Sequence, residues 1–245
     1  MNIAPQKITP SDGNIIVRKN DFDQFPHTVL LLNGIHQTRG MWQIMEDRLR
    51  RYNYGVCSLN LSHIYTEHRF ATLESQSHWL HEKLDRLFTK YDLDHIHIIG
   101  ASTGGLVARH MIQYLDNGNR VRSLCTLATP HHSSFMGLLN TFIRGTGLKR
   151  FKLPNFPTTS FFHPNETHSF PTDVPITSIF GAQDWLSPWW VSVLRIDDHP
   201  NITNVHLRSV RSLDLSSDAL SFEAVKTHLD KATDKLSHAQ SISNS

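Results

Sequence analysis

The sequence predicts an α/β fold, a mostly parallel β-sheet with helices on both faces and one long insertion. Three observations carry the prediction. Short apolar runs, several of them closed by glycine, alternate with segments of helical periodicity, the pattern of successive strand–helix units. The 245 residues fit one such domain with a generous core, so the chain, 1–245, is read as a single domain. Hydrophobic residues make up 39% and charged residues 19%, a balance that excludes a disordered chain.

Taken in order, "NIIVRK" (14–19) is a short strand candidate, and "TVLLLNG" (28–34) is an apolar run closed by glycine, hence a buried strand. Residues 37–53 place Trp42, Met45 and Leu49 on one helical face. "YGVCSLNL" (54–61) is a strand, and 75–91 spaces Leu80, Leu84, Leu87 and Tyr91 as a helix stripe. "HIHIIG" (95–100) is a strand and 103–115 a helix, followed by strands at 121–130, 175–181 and 204–210. The helix 221–236 carries Val225, Leu229, Ala232 and Leu236 in register, and the tail "SHAQSISNS" is expected to fray.

Residues 131–174 break this alternation. An insertion so long is usually functional or disordered, and ligands on parallel sheets bind at the carboxyl ends of the strands, so the segment is read as a cap or lid. It holds Phe135, Phe142, Phe151, Phe156, Phe161 and Phe162, which suit an acyl chain or, equally, a small core of the cap itself.

Composition also excludes function classes. The net charge is +2 and no long lysine or arginine block occurs, so no nucleic-acid partner is expected. No apolar run reaches the length of a membrane span. The first residues, "MNIAPQKITPSDGN", lack the apolar stretch of a signal peptide, and the expected location is cytoplasmic. Cys57 and Cys125 lie in strand-like runs and are expected to be buried thiols, not a disulfide.

The chemistry centres on "HIIGASTGGLVARH" (97–110), where Gly100-Ala101-Ser102-Thr103-Gly104 reads G-x-S-x-G between a strand and a helix. In that setting a sharp turn lifts the serine Oγ off the sheet, and side chains at the glycine positions would collide with neighbouring elements. The turn also sets the next backbone N–H, that of Thr103, at a helix N-terminus, where it can stabilise an oxyanion. The competing reading is a glycine-rich turn whose serine caps the helix.

Four segments resemble the α/β-hydrolase superfamily in its lipase- and carboxylesterase-like branch. "LLLNGIHQT" is similar to the strand and oxyanion loop, and "IIGASTGGLVAR" to the nucleophile segment. "LATPHHSS" is similar to the stretch after the next strand, and "IFGAQDWLSP" to the strand that delivers the acid. The resemblance runs from about residue 28 to 230. It implies Ser102 as nucleophile, the backbone N–H groups of Ile35 and Thr103 as oxyanion donors, and Asp184 as the acid that orients the base. Asp184 is alternatively a loop aspartate capping the helix that contains "PWWVSVL". Two positions depart from the pattern: Asn33 stands where histidine is common before the oxyanion glycine, and Ala101 where histidine is common before the serine.

A larger departure concerns the base, which the superfamily takes from the loop before the last helix. Here that loop, 211–225, contains no histidine. With Leu220, Phe222 and Val225 in frame, the vacant position falls on Ser217. Among the 17 histidines, His131 is the best supporting or substitute base, since it follows a strand at the correct end of the sheet. His206 and His199 are placed at the far end, His228 lies well along the last helix, and His163 and His168 belong to the cap. A metal is not expected: His163, Glu166 and His168, or His78, His81 and Glu82, are close in sequence without a zinc pattern. No cofactor is expected.

The function implied is a serine hydrolase acting on carboxylic esters, with a lipid-like or acyl ester as its small-molecule substrate. An acyltransferase or thioesterase on the same machinery is one alternative. A hydrolase fold kept as a binding module, with catalysis reduced or lost, is the other.

Overall fold

The computed structural model describes residues 15–16, 25–34, 37–61, 73–131, 170–181, 189–194 and 200–243. Seven strands form one sheet: β1 (Ile15–Ile16), β2 (His27–Leu32), β3 (Tyr54–Leu59), β4 (Ile96–Ala101), β5 (Val121–Leu127), β6 (Ile176–Gly181) and β7 (Ile202–Leu207). Their spatial order is β1-β3-β2-β4-β5-β6-β7. β1 pairs antiparallel with β3, and every other pair is parallel. The expected α/β class and mostly parallel sheet are therefore present.

The helices cover the sheet from both sides, because the apolar strands need partners on both faces. α1 (Gln43–Arg51) and α5 (Ala219–Ser243) pack on one face, where Val29, Leu31, Val56, Ile99, Cys125 and Ile179 meet Met45, Leu49, Val225 and Leu229. α2 (Leu73–Tyr91) and α3 (Thr103–Met111) cover the other, where Leu30, Leu32, Cys57, Ile98 and Leu124 meet Leu80, Leu84, Val107 and Met111. A short α4 (Trp189–Ser192) adds Ser192, whose carbonyl accepts from Ser178 Oγ at 2.6 Å. Cys57 and Cys125 are free buried thiols on opposite faces, and burial pushes the Cys57 thiol up to about 12.

Most boundaries shift by a few residues from the sequence reading, and the following shifts matter most. The helix expected at 37–53 begins as a 3-10 turn, Arg39–Trp42, before α1. The tail expected to fray continues α5 to Ser243, with no glycine or proline between Leu236 and that residue to stop it. β7 spans Ile202–Leu207 and not 204–210, which moves His206 from the start of the strand to its carboxyl end, opposite Phe180.

The chain leaves the sheet after β5 and re-enters it before β6, so the insertion falls between these two strands. Most of the cap reading, 132–169, lies outside the described residues. Among the described residues no helix is long and apolar enough to cross a membrane.

Candidate active site

Ser102 alone makes the turn from β4 to α3, at φ 50° and ψ −124°. This conformation is costly for a residue with a side chain and persists only where its surroundings impose it. Here they do. Ser102 N–H donates to Leu127 O at 2.8 Å, and Ser102 O accepts from Thr129 Oγ1 at 3.0 Å and from Gly105 N–H at 3.1 Å. The end of β5 and its following loop thus grip both sides of the serine.

The glycines answer a steric demand. A Cβ on Gly100 would lie 2.6 Å from Gly105 Cα, and one on Gly104 2.7 Å from Leu32 O. α3 can then start directly over the ends of β2 and β4. The capping alternative for Ser102 does not hold: it occupies the N-cap position, yet its side chain makes no cap hydrogen bond.

The loop after β2 is pressed against this elbow. A Cβ on Gly34 would fall 3.0 Å from Ser102 Cβ and 3.1 Å from Ala101 O. Gly34 N–H donates to Gln37 Oε1 at 2.7 Å, and Gln37 N–H donates to Gly34 O at 3.2 Å. Asn33, at the position where histidine is common, is buried, and its Nδ2 donates to Gln37 O at 2.6 Å and Asn60 Oδ1 at 3.1 Å. Sequence reasoning missed Asn33 and Gln37 as braces of this loop; the polar side chain at a buried strand end was the available signal. Thr103 is buried as the first residue of α3, at the positive end of that helix. Ile35 and Asp184 lie outside the described residues.

His131 is buried at the carboxyl end of β5, as expected, but its ring is committed elsewhere. Its Nε2 lies 3.0 Å from Thr126 Oγ1, and its Nδ1 lies 3.4 Å from Arg109 Nη1 on α3. Because the guanidinium can only donate, Nδ1 accepts and the Nε2–H donates to the threonine. His131 therefore braces α3 against β5.

His228, His206 and His81 have contacts of their own. His228, on α5, lies beside β6, with Nδ1 2.8 Å from Thr177 Oγ1 near that strand's amino end and away from Ser102; burial pushes its pKa down to about 4. His206 is exposed and stacks on Phe180 and Trp189. His81 meets Arg120 and Asp85. His163 and His168 lie outside the described residues.

Ser217 sits in the loop before α5, half-buried, with Oγ donating to Asp214 O at 3.1 Å. Arg48 Nη1 donates to Ser217 O at 3.0 Å and Asp218 O at 2.8 Å, which ties this loop to α1. Asp218 caps α5 through Oδ1, accepting from Leu220 N–H and Ser221 N–H at 2.8 and 3.1 Å. Phe222 and Val225 are buried as the frame requires, whereas Leu220 is exposed. Among the described residues, no side chain is hydrogen-bonded to the Ser102 hydroxyl.

Solved structures share the fold at low identity. An α/β-hydrolase from the metagenome of sediments of the Mar Chica lagoon, Morocco, matches at 15% identity and TM-score 0.61, covering 85% of this chain and 92% of that one. A carboxylesterase of the thaumarchaeon Nitrososphaera gargenis matches at 12% and 0.62, covering 85% and 92%. A Bacillus licheniformis lipase matches at 13% and 0.62, covering 82% and 91%. No curated protein matches the sequence. The profile of one family, palmitoyl protein thioesterase, matches residues 28–170, from β2 through the elbow and across the insertion. Fold and family together support hydrolysis of esters or thioesters. The chain belongs to the palmitoyl protein thioesterase family of α/β-hydrolases.

Proposed function

We propose that this protein is a serine hydrolase of acyl thioesters and esters, with Ser102 as nucleophile. The observation that carries the reading is Ser102 itself: a strained residue at a strand-to-helix turn, its hydroxyl unused by the helix cap, against the loop after β2. In the first half-reaction Oγ attacks the carbonyl carbon, the carbonyl electrons move to oxygen, and the hydroxyl proton passes to solvent water where no imidazole takes it. The backbone N–H groups of Ile35 and Thr103 receive that oxyanion. Collapse of the intermediate expels the thiolate or alkoxide and leaves an acyl-serine, which water then hydrolyses. Asp184 orients the base where a base is present.

The vacancy at Ser217 bears on the substrate. In the intact machinery histidine takes the serine proton and then gives it to the leaving group. A thiol has a pKa of about 8.5, so a thiolate departs near neutrality without that gift, whereas an alkoxide does not. Losing the base therefore penalises oxoesters more than thioesters. For a thioester the step hurt most is deacylation, where a neutral water must be activated and the serine alkoxide expelled. Acyl-serine should accumulate.

The apolar composition of the insertion favours an acyl chain as the group held. The test is intact-protein mass spectrometry after exposure to a long-chain acyl thioester and, separately, a fluorophosphonate. One acyl or phosphonyl adduct per chain is expected, absent in Ser102→Ala. The missing histidine favours a second reading, a binding module that has lost catalysis. It predicts neither adduct in a folded protein. Adduct formation or ester turnover unchanged in Ser102→Ala would remove the nucleophile assignment.

A further inference from the structure

At the amino ends of β2 and β4, opposite the elbow, three histidines converge. The register pairs Val29 with His97, so His27 faces His95 across the two parallel strands. Side chains two apart share a face, which sets His27, His95 and His97 together on the side covered by α1 and α5. Their ring centroids form a near-regular triangle of 5.5, 5.9 and 5.9 Å. One nitrogen from each ring lies within 4.8 Å of the other two.

Two further distances matter. His27 Nδ1 and His95 Nε2 are 3.3 Å apart. Ligand nitrogens at zinc bond lengths of about 2.0–2.1 Å in a tetrahedron stand about 3.3 Å from one another, so this pair already spans one edge. His97 is fully buried, its Nδ1 2.8 Å from Ser123 Oγ. Among the described residues its Nε2 has no hydrogen-bond partner. The hydroxyl can accept from Nδ1–H, and in that tautomer the ring is held in one orientation with its Nε2 lone pair uncommitted, the arrangement that positions a ligating imidazole. An unpaired buried nitrogen otherwise costs stability without return.

We propose that His27, His95 and His97 hold a divalent late transition-metal ion, zinc first, that pins the start of β2 to the start of β4. Three imidazoles with no carboxylate or thiolate suit zinc, copper, nickel or cobalt, not magnesium or calcium. The position, at the far end of the sheet from Ser102, makes the ion structural. The proposal stands independently of the hydrolase reading.

The test uses full-length, tag-free protein, chelator-treated and then titrated with zinc chloride against a chromogenic chelator. One equivalent per chain is expected. Affinity should fall at least about tenfold in His27→Gln and in His95→Gln, and hold in His206→Gln. Cobalt(II) should give the visible d–d bands of a nitrogen-ligated tetrahedral site in the parent, which decides the matter even if one variant fails to fold. Zinc should also raise the thermal midpoint of the parent and not of His95→Gln. Absence of stoichiometric binding by the parent, or binding unchanged in both ligand variants, overturns the site and leaves an imidazole–imidazole hydrogen bond.

Discussion

On the proposed hydrolase reading Ser217 stands where an imidazole would complete a proton path, and its side chain makes a modest contact, a hydroxyl bond to Asp214 O, with its backbone carbonyl held by Arg48. Ser217→His should therefore be tolerated and should raise thioester and ester turnover by about tenfold or more, with a rate that climbs through the imidazole pKa. Neighbouring substitutions carry costs that this one does not. Ser216 is buried, and Asp218→His removes the cap of α5, worth about 1 kcal/mol. A gain confined to Ser217→His, with the histidine-like pH profile, supports the frame. Equal gains at 216 or 218, or none at 217, would show that the loop does not aim position 217 at the serine.

At the scale of elements, the elbow depends on bare backbone meeting bare backbone. Gly100→Ala would set a Cβ 2.6 Å from Gly105 Cα and 2.9 Å from Gly104 C, and backbone there cannot swing aside. It should destabilise the protein by about 1–3 kcal/mol in urea unfolding. Gly40→Ala, where the Cβ finds its nearest atom at 3.7 Å, should be close to neutral. Equal stability of the two variants would contradict the close approach of α3 to β4. This region was legible in the sequence because its signals are local: an apolar run, a glycine, a serine and a helix within 14 residues. The ends of α5 and β7 were less legible. A polar tail gives no sign that its helix continues, and His206 lies on a half-exposed edge strand whose apolar pattern is weak. The histidine triangle was half-visible, since "HIH" in a strand puts His95 and His97 on one face. His27, 68 positions before His95, joins them only through sheet pairing, which no local pattern encodes.

Across the whole molecule, the sheet separates two polar regions, the elbow at the carboxyl ends of the strands and a layer of neutral histidines toward the amino ends. His228 belongs to the second. It is fully buried, its Nδ1 bonded to Thr177 Oγ1 and its Nε2 without a partner among the described residues, and the charge bearing on it is that of Lys231 on its own helix, with the neutral His97 on β4 nearby. Burial first, and Lys231 second, lower its pKa to about 4 from 6.5. The sign follows directly. Above pH 6.5 both folded and unfolded chains hold His228 neutral, and it adds no pH dependence. Between 6.5 and about 4 the unfolded chain binds a proton that the folded chain refuses, so stability falls as the pH falls. The full loss from this one group is about 3 kcal/mol, reached near pH 4. His228→Gln keeps a polar partner for Thr177 and cannot titrate. Measured by urea unfolding in the presence of chelator, the parent should lose more stability than His228→Gln between pH 7.5 and 4.5, by about 2 kcal/mol or more. Parallel pH profiles for the two proteins would mean that His228 takes up its proton inside the folded chain, and that α5 is less tightly seated on β6 than its buried contacts with the sheet require.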